Sequence, residues 1–207
     1  GMAYANKAID DADLVIAIGM RFDDRATGKV AGFAPRAKVI HIDIDPAEIG
    51  KNVRVDVPIV GDVKNVLKSM NKIIEPMIRE ERLRQLDELK SRHPLGVPEG
   101  DGKLLPQFVI RKIYEATRGE ATVVTGVGQH QMWTAQYYTF DRHNTLVTSG
   151  GLGTMGFELP ASVGAAVGRP DEAIWCIAGD GSFQMTMQEL ATVVQEKLNI
   201  KIAVMNN

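Results

Sequence analysis

In the first half of the chain, hydrophobic and polar positions alternate between the period of an α-helix and that of a β-strand. Apolar residues recur at helical spacing over residues 5–12. Three β-branched runs predict strands, at residues 14–19, 38–45 and 53–60. The first run is apolar throughout, which predicts a buried strand. Pro58 places the third strand at an edge or marks its end. Asp62 is a favourable N-cap for a helix whose apolar stripe reaches residue 74, and Pro76 should end or kink that helix.

The same alternation begins again in the second half. Helices are predicted at residues 106–117, 129–138, 159–167 and 186–195, and strands at 122–125, 145–147, 173–178 and 200–205. Strands that alternate with crossover helices are typical of parallel sheets, so we predict the α/β class with two parallel-sheet α/β units. A segment rich in Pro and Gly separates the halves. We therefore predict domains at 1–92 and 106–207, joined by a linker at 93–105.

Composition is that of an ordinary globular protein. The 207 residues are enough for one large domain or two small ones, and 44% are hydrophobic, which favours a packed core. A net charge of −2 gives no reason to expect a nucleic-acid or membrane surface. No apolar run approaches the roughly 20 residues of a membrane span, and no signal peptide is visible. The single cysteine, Cys176, lies in a predicted strand and suits a reducing compartment. We expect a soluble, cytoplasmic protein.

The strongest chemical pattern lies at the end of the chain. An apolar strand leads into Gly179-Asp180-Gly181-Ser182, and the next strand leads into Asn206-Asn207. Because a strand–helix–strand unit returns the chain to one carboxyl edge, Asp180 should meet these asparagines. Carboxylate and amide oxygens suit a Mg²⁺ that also binds phosphates, and the glycines let the backbone approach a diphosphate. Gly-Asp-Gly alone is as typical of a tight turn, but with the paired asparagines it resembles the signature of thiamine diphosphate enzymes.

Further segments resemble the acetolactate synthase (acetohydroxyacid synthase) family, in its catalytic large subunit. They are residues 4–6, 21–25, 41–46, 59–62, 127–133 and 149–157. Together with the terminal motif they cover the whole chain apart from the predicted linker. The resemblance is therefore far more specific than any one of its motifs.

The resemblance implies thiamine diphosphate anchored by Mg²⁺ in the second domain. Asp180 and Asn207 would hold the metal, and Met155 would wedge the cofactor into a bent form, with Gly153 near the aminopyrimidine. The other implied cofactor-binding residues are Val127, Gly128, Gln129, His130, Gly179, Gly181 and Ser182. The bend makes proton removal intramolecular, and the thiazolium ring accepts the electrons released with CO₂. The family's activating glutamate belongs to a domain outside this chain, so no catalytic side chain is assigned.

The resemblance also implies a structural FAD in the first domain. The implied positions follow the three predicted strands: Arg21, Phe22, Asp23, Asp24, Arg25, Asp43, Ile44, Asp62 and Val63. An arginine there can face phosphates, and an acid after the second strand can bind the adenosine ribose. No Gly-x-Gly-x-x-Gly fingerprint occurs, so without the resemblance residues 21–25 would be interpreted as a solvated loop.

The activity implied is a transferase (carboligase) reaction of branched-chain amino-acid biosynthesis. Pyruvate is decarboxylated and joined to a second 2-keto acid, which gives 2-acetolactate or 2-aceto-2-hydroxybutyrate. The alternatives are a glyoxylate carboligase or pyruvate oxidase, or a non-catalytic cofactor-binding fragment. The family's subunit has three domains, so we expect an inactive fragment of a homo-oligomer (dimer or tetramer) that a regulatory small subunit often joins. Glu158 stands where the family usually has a glycine.

Overall fold

The computed structural model describes residues 2–97 and 102–206. The chain divides into two compact units, a first unit up to Pro94 and a second unit from Leu95. Each unit contains one parallel sheet with helices, so the predicted α/β class is confirmed. Within the described ranges, no helix combines the length and apolar character needed to cross a membrane.

The first unit has a three-stranded parallel sheet in the order β1-β2-β3. Its elements are α1 Ala3–Asp10, β1 Leu14–Ile18, α2 Asp24–Thr27, a 3₁₀ turn Val30–Gly32, β2 Lys38–Asp43, β3 Val57–Val60, α3 Val63–Met70 and α4 Glu80–Arg92. Pro58 lies in β3, and β3 is an edge strand of this sheet, as predicted.

The prediction that the first strand is buried is wrong. Ala17 is 3% exposed, whereas Leu14, Ile16 and Ile18 are between 43% and 47% exposed. β1 is an edge strand, and the core cluster of this unit uses the face that carries Val15 and Ala17. Although β1 is apolar throughout, only one of its two faces is buried.

The helix after β3 begins as predicted and ends early. The Asp62 carboxylate accepts a hydrogen bond from the Asn65 backbone N–H at 3.0 Å, which caps α3. α3 ends at Met70, before Pro76, so the proline does not terminate it. Ile73 is 82% exposed. With so little packing on the apolar stripe there, a further turn gains little stabilisation.

The second unit has a four-stranded parallel sheet in the order β5-β4-β6-β7. Its elements are α5 Pro106–Thr117, β4 Thr122–Thr125, α6 Gln129–Tyr137, β5 Leu146–Thr148, α7 Glu158–Gly168, β6 Ile174–Gly179, α8 Asp180–Thr186, a 3₁₀ turn Met187–Glu189, α9 Leu190–Gln195 and β7 Ile200–Met205. α5 and α6 pack on one face of the central strands and α7 on the other. The sheet is thus covered on both sides, which explains why all four residues of β4 are buried and why β6 is an apolar run.

The segment after β6 differs from the prediction. The sequence predicted that the helix after this strand begins at residue 186, but α8 begins at Asp180 directly after the strand. Gly179 is the extended N-cap residue, and Gly181 lies inside the first helical turn. Asp180 therefore lies at the start of a helix, at the carboxyl edge of the sheet.

Cys176 is a core residue of β6. Its side chain is fully buried with Leu159 and Ala178, and this burial raises the pKa of its thiol to about 12. Because the thiolate is the reactive form, we expect the folded chain to resist a thiol reagent at about pH 8 and to expose its single thiol on unfolding. Titration with an aromatic disulfide, before and after denaturant, measures this. Rapid reaction of the folded chain would contradict the buried position.

A cluster of polar side chains joins segments at the amino edge of the second sheet. Glu172 accepts hydrogen bonds from Thr122 Oγ1 at 2.7 Å, from Arg142 Nη2 at 2.9 Å and from Arg169 Nη1 at 3.2 Å. These bonds, with that of Thr122 the largest cause, lower the pKa of Glu172 to about 2. The carboxyl of the unfolded chain titrates near pH 4.3, at about the ordinary pKa of glutamate. The cluster therefore contributes its full stability above that pH and loses it as the pH falls towards 2.

We expect Glu172→Gln to destabilise the second unit at neutral pH by about 1 kcal/mol, since an amide cannot accept from all three donors. The difference from wild type should shrink between about pH 4.3 and 2. Urea unfolding followed by tryptophan fluorescence measures it, because Trp133 and Trp175 both lie in the second unit. Glu196→Gln, at an exposed carboxyl, is the matched control. An equal loss in both variants would argue against the cluster.

Candidate functional site

The carboxyl edge of the second sheet brings together the two halves of the terminal motif. Gly179 of β6 pairs with Met205 of β7 in parallel register. Asp180 and Asn206 follow these two residues directly, and both are exposed. Asn207, the other predicted metal ligand, lies outside the described residues. An acidic side chain and an amide side chain thus stand at neighbouring strand ends, the arrangement that the spacing predicted.

The chemistry of this edge fits a metal that completes its coordination with other oxygens. In the described part of the chain, no group of three or more His, Cys, Asp or Glu side chains could hold a metal. The Asp180 carboxylate makes no hydrogen bond to any described residue. It remains free to bind a Mg²⁺ whose other ligands are amide, phosphate and water oxygens.

A second loop reaches the same edge from β4. Gly126 follows the strand and is buried, whereas Gly128 and Gln129 are exposed where α6 begins, with Val127 half-buried between them. Gly128 has a φ of +152°, a conformation that favours glycine. The loop therefore presents backbone to solvent beside Asp180, as a diphosphate-binding loop requires.

His130 connects the two loops. Its ring packs so closely on Gly179 that a Cβ there would lie 2.8 Å from Nδ1. Burial lowers the pKa of His130, while the charges of Glu158 and Asp180 act in the opposite direction. The imidazole is therefore predominantly neutral at pH 7. Its Nε2 has no hydrogen-bond partner among the residues described.

The segment at 149–157, the Met155 loop, brings a third element to the site. Ser149 anchors its turn: its backbone oxygen accepts from the Gly153 N–H at 2.9 Å, and its Oγ accepts from the Thr154 N–H at 3.1 Å. Met155 is 46% exposed, and its Cε lies 4.0 Å from where a Gly181 Cβ would be. The apolar tip of this loop thus lies over the start of α8.

Glu158 and Ser182 form a buried contact that the sequence did not predict. Glu158 is fully buried, and its Oε2 accepts a hydrogen bond from Ser182 Oγ at 2.8 Å. Ser182 Oγ in turn accepts from the Gly156 backbone N–H at 2.8 Å. The signal available in the sequence was one acidic residue inside an otherwise apolar segment.

In the first unit, the positions implied for FAD follow three adjacent parallel strands. Asp43 ends β2, and its Oδ1 accepts from the Asp45 N–H at 2.9 Å. Asp62 caps α3, and Asp23 caps α2 by accepting from the Ala26 N–H at 3.1 Å. These carboxylates therefore order the turns at the carboxyl edge of the sheet.

The remaining implied positions in the first unit are not all at its surface. Arg21 is exposed and pairs with Asp23 at 2.8 Å, and Asp24 and Arg25 are exposed in α2. Ile44 and Val63 are also exposed, at 73% and 39%. Phe22 differs, because its side chain is 2% exposed and packs edge-on against Phe33 and His41. Its side chain belongs to the core, so only its backbone can face a ligand.

Comparison with known proteins agrees with the chemistry of the second sheet's edge. Residues 126–207 match the family model described as "Thiamine pyrophosphate enzyme, C-terminal TPP binding domain", and residues 1–70 match "Thiamine pyrophosphate enzyme, central domain". Thiamine pyrophosphate and thiamine diphosphate are the same compound. Both units of the chain thus match domains of one enzyme family.

The whole chain is also similar to curated proteins named acetolactate synthase. It is 51% identical over 213 residues to acetolactate synthase 1, chloroplastic, of Nicotiana tabacum. It is 50% identical over 214 residues to the acetolactate synthase of Mycobacterium leprae, and 49% identical over 213 residues to acetolactate synthase 1, chloroplastic, of Zea mays. These alignments cover 100% of the chain and 32%, 34% and 33% of the respective relatives. The chain therefore spans about a third of the length of the curated relatives it matches.

Proposed function

The chain belongs to the thiamine pyrophosphate enzyme family, and from that premise we propose that it forms the cofactor-binding core of an acetolactate synthase. The observation that carries the proposal is the identity of about half of all positions to acetolactate synthases along the whole chain. The glyoxylate carboligase and pyruvate oxidase alternatives are not favoured by these similarities. The convergence of Asp180 with Asn206 adds independent chemical support.

In the proposed site, Asp180 and Asn207 would hold Mg²⁺, and the backbone of the 126–130 loop would bind the diphosphate. Gln129 and His130 begin α6 there, and Gly179, Gly181 and Ser182 form the opposite wall. Gly153 and Met155 would lie near the aminopyrimidine of the cofactor. Thiamine diphosphate supplies an electron sink for decarboxylation of a 2-keto acid.

We propose FAD for the first unit, at the carboxyl edge formed by β1, β2 and β3. The ordered turns at Asp23, Asp43 and Asp62 support it, because ligands of open parallel sheets bind at this edge. Equilibrium dialysis of FAD tests the proposal. Binding that Asp43→Ala weakens, and that the exposed Asp87→Ala leaves unchanged, is the expected result. If neither the wild-type chain nor either variant binds FAD, the proposal of an FAD site in the first unit is wrong.

Further proposals concern the whole protein. Its substrates are pyruvate and a second 2-keto acid, it assembles as a dimer or tetramer, and a regulatory small subunit is a candidate partner. The domain bounds at 1–92 and 106–207 remain our proposal. The cytoplasmic location stays a prediction, since the tobacco and maize relatives are named chloroplastic and the Mycobacterium leprae relative is not.

Product analysis tests the proposed activity. The whole protein, with all three domains that the family's subunit has, is incubated with pyruvate, thiamine diphosphate, Mg²⁺ and FAD, and the products are identified by mass spectrometry. Formation of 2-acetolactate by the whole protein is expected, whereas the 207-residue chain assayed beside it is expected to give none. A product formed only when glyoxylate is supplied, or acetyl phosphate formed when inorganic phosphate and O₂ are supplied with pyruvate, would instead support one of the sister enzymes. Cofactor binding without any product is the outcome for a non-catalytic binding chain.

A further inference from the structure

Glu158 lies where three segments of the proposed cofactor site meet. Its Oε2 is so close to Gly126 that a Cβ on that glycine would lie 2.0 Å from it. The same oxygen accepts from Ser182 on α8. Glu158 itself begins α7, directly after the Met155 loop. The carboxylate of Glu158 therefore contacts both the 126–130 loop and α8, the helix that begins at Asp180. Its backbone joins the Met155 loop to α7.

Two hydrogen bonds hold the Met155 loop to α8. The Gly156 N–H donates to Ser182 Oγ at 2.8 Å, and the Gly156 carbonyl accepts from Thr186 Oγ1 at 3.0 Å. Gly156 has a φ of +75°, and a Cβ there would lie 3.1 Å from side-chain atoms of both Met185 and Thr186. The loop thus lies against α8 with no room for a larger residue, and both hydroxyl partners come from the same helix.

The Glu158 carboxylate determines how Ser182 can act. Ser182 Oγ carries one hydrogen, and donating it to Glu158 leaves the oxygen lone pairs for the Gly156 N–H. Glu158 is fully buried, and its Oε1 has no hydrogen-bond partner within the described residues. A buried, incompletely paired carboxylate is destabilising, and such departures from favourable packing concentrate at functional sites.

We propose that Glu158 and Ser182 are positioning residues that lock the Met155 loop onto α8. The lock holds Met155 beside the start of the helix that carries Asp180, so that the metal end and the aminopyrimidine end of the site keep a fixed separation. The identity of the ligand rests on the proposed function, whereas the lock itself can be measured with no ligand present.

Hydrogen exchange of the Gly156 amide measures how firmly the Met155 loop is held to α8, because this amide donates to Ser182 Oγ. Peptides covering residues 149–157 are compared in the wild-type chain and in Ser182→Ala, Glu158→Ala and Glu158→Gln. We expect exchange at Gly156 to be about tenfold faster in the two alanine variants. Ser182→Ala removes the hydroxyl that accepts from the Gly156 N–H, and Glu158→Ala leaves that hydroxyl free to rotate away from it. Glu158→Gln should remain near wild type, because the amide oxygen still accepts from Ser182. Unchanged exchange in Ser182→Ala would overturn the proposal.

Binding of thiamine diphosphate with Mg²⁺ separates positioning from general stabilisation. Ser182→Ala should bind about tenfold more weakly, Glu158→Gln should stay within about threefold of wild type, and the exposed Glu196→Ala should be unchanged. Equal affinity of Ser182→Ala and wild type would reject a positioning role. If Glu158→Ala does not fold, Ser182→Ala and Glu158→Gln still decide the question. If wild type binds no cofactor, the proposed function fails, and the exchange data alone then support or overturn the lock.

Discussion

Replacing Asp180 with alanine is expected to weaken Mg²⁺-dependent binding of thiamine diphosphate by at least about 100-fold. Mutation of residues that only support a metal ligand already lowers metal affinity by about 10- to 100-fold, and Asp180 is proposed as a ligand itself. Asp180 is exposed and makes no hydrogen bond to a described residue, so the fold loses little with its carboxylate. The metal, in contrast, loses the only charged side chain proposed to bind it. Isothermal titration of the cofactor in Mg²⁺ buffer measures the change.

Two variants control this experiment. Asp171→Ala removes an exposed carboxylate before β6, at the opposite edge of the same sheet, and should bind like wild type. Asp180→Asn retains an oxygen ligand without the charge, and we expect it to lie between alanine and wild type. Wild-type affinity in Asp180→Ala would place the metal, or the cofactor, elsewhere.

Replacing Gly126 with alanine is expected to destabilise the second unit by about 2–3 kcal/mol. The new Cβ would lie 2.0 Å from Glu158 Oε2 and 2.7 Å from Ser182 Oγ. Neither side chain can move freely, because both are buried and hydrogen-bonded to each other. Urea unfolding monitored by tryptophan fluorescence gives the size of the loss.

Gly164→Ala is the matched control for this substitution. Gly164 lies inside α7 with nothing within 4 Å of an added Cβ, so alanine should stabilise the helix by about 0.5–1 kcal/mol. Combining Gly126→Ala with Glu158→Ala removes the clashing carboxylate. The double variant should then be more stable than the sum of the single effects predicts. Strict additivity would show that the two residues do not meet.

Much of the second unit could be predicted from its apolar runs. The predicted bounds of α5, β4 and β7 match the structure, since Pro106 begins α5 and the strands pack in a sheet covered by helices on both faces. The convergence of Asp180 with the end of β7 followed from the return of a strand–helix–strand unit to one carboxyl edge of the sheet. Local pattern and topology were sufficient for these features.

Other features depend on contacts that have no sequence period. The Glu158–Ser182 hydrogen bond joins residues 24 positions apart, and only packing brings them together. α8 includes Gly181, a poor helix former, because the chain leaves β6 directly into the helix. The side chain of Phe22 turns into the core although its neighbours are polar. These positions required the three-dimensional structure.

The most direct test of the account is titration of thiamine diphosphate into the wild-type chain, in Mg²⁺ and again in excess EDTA. The carboxyl edge built by Gly126, His130, Asp180 and Asn206 is predicted to bind the cofactor only when the metal is present. Inorganic pyrophosphate should compete, because it shares the diphosphate and the metal. Binding that persists in EDTA, or no binding in either buffer, would contradict a metal-anchored diphosphate site at this edge.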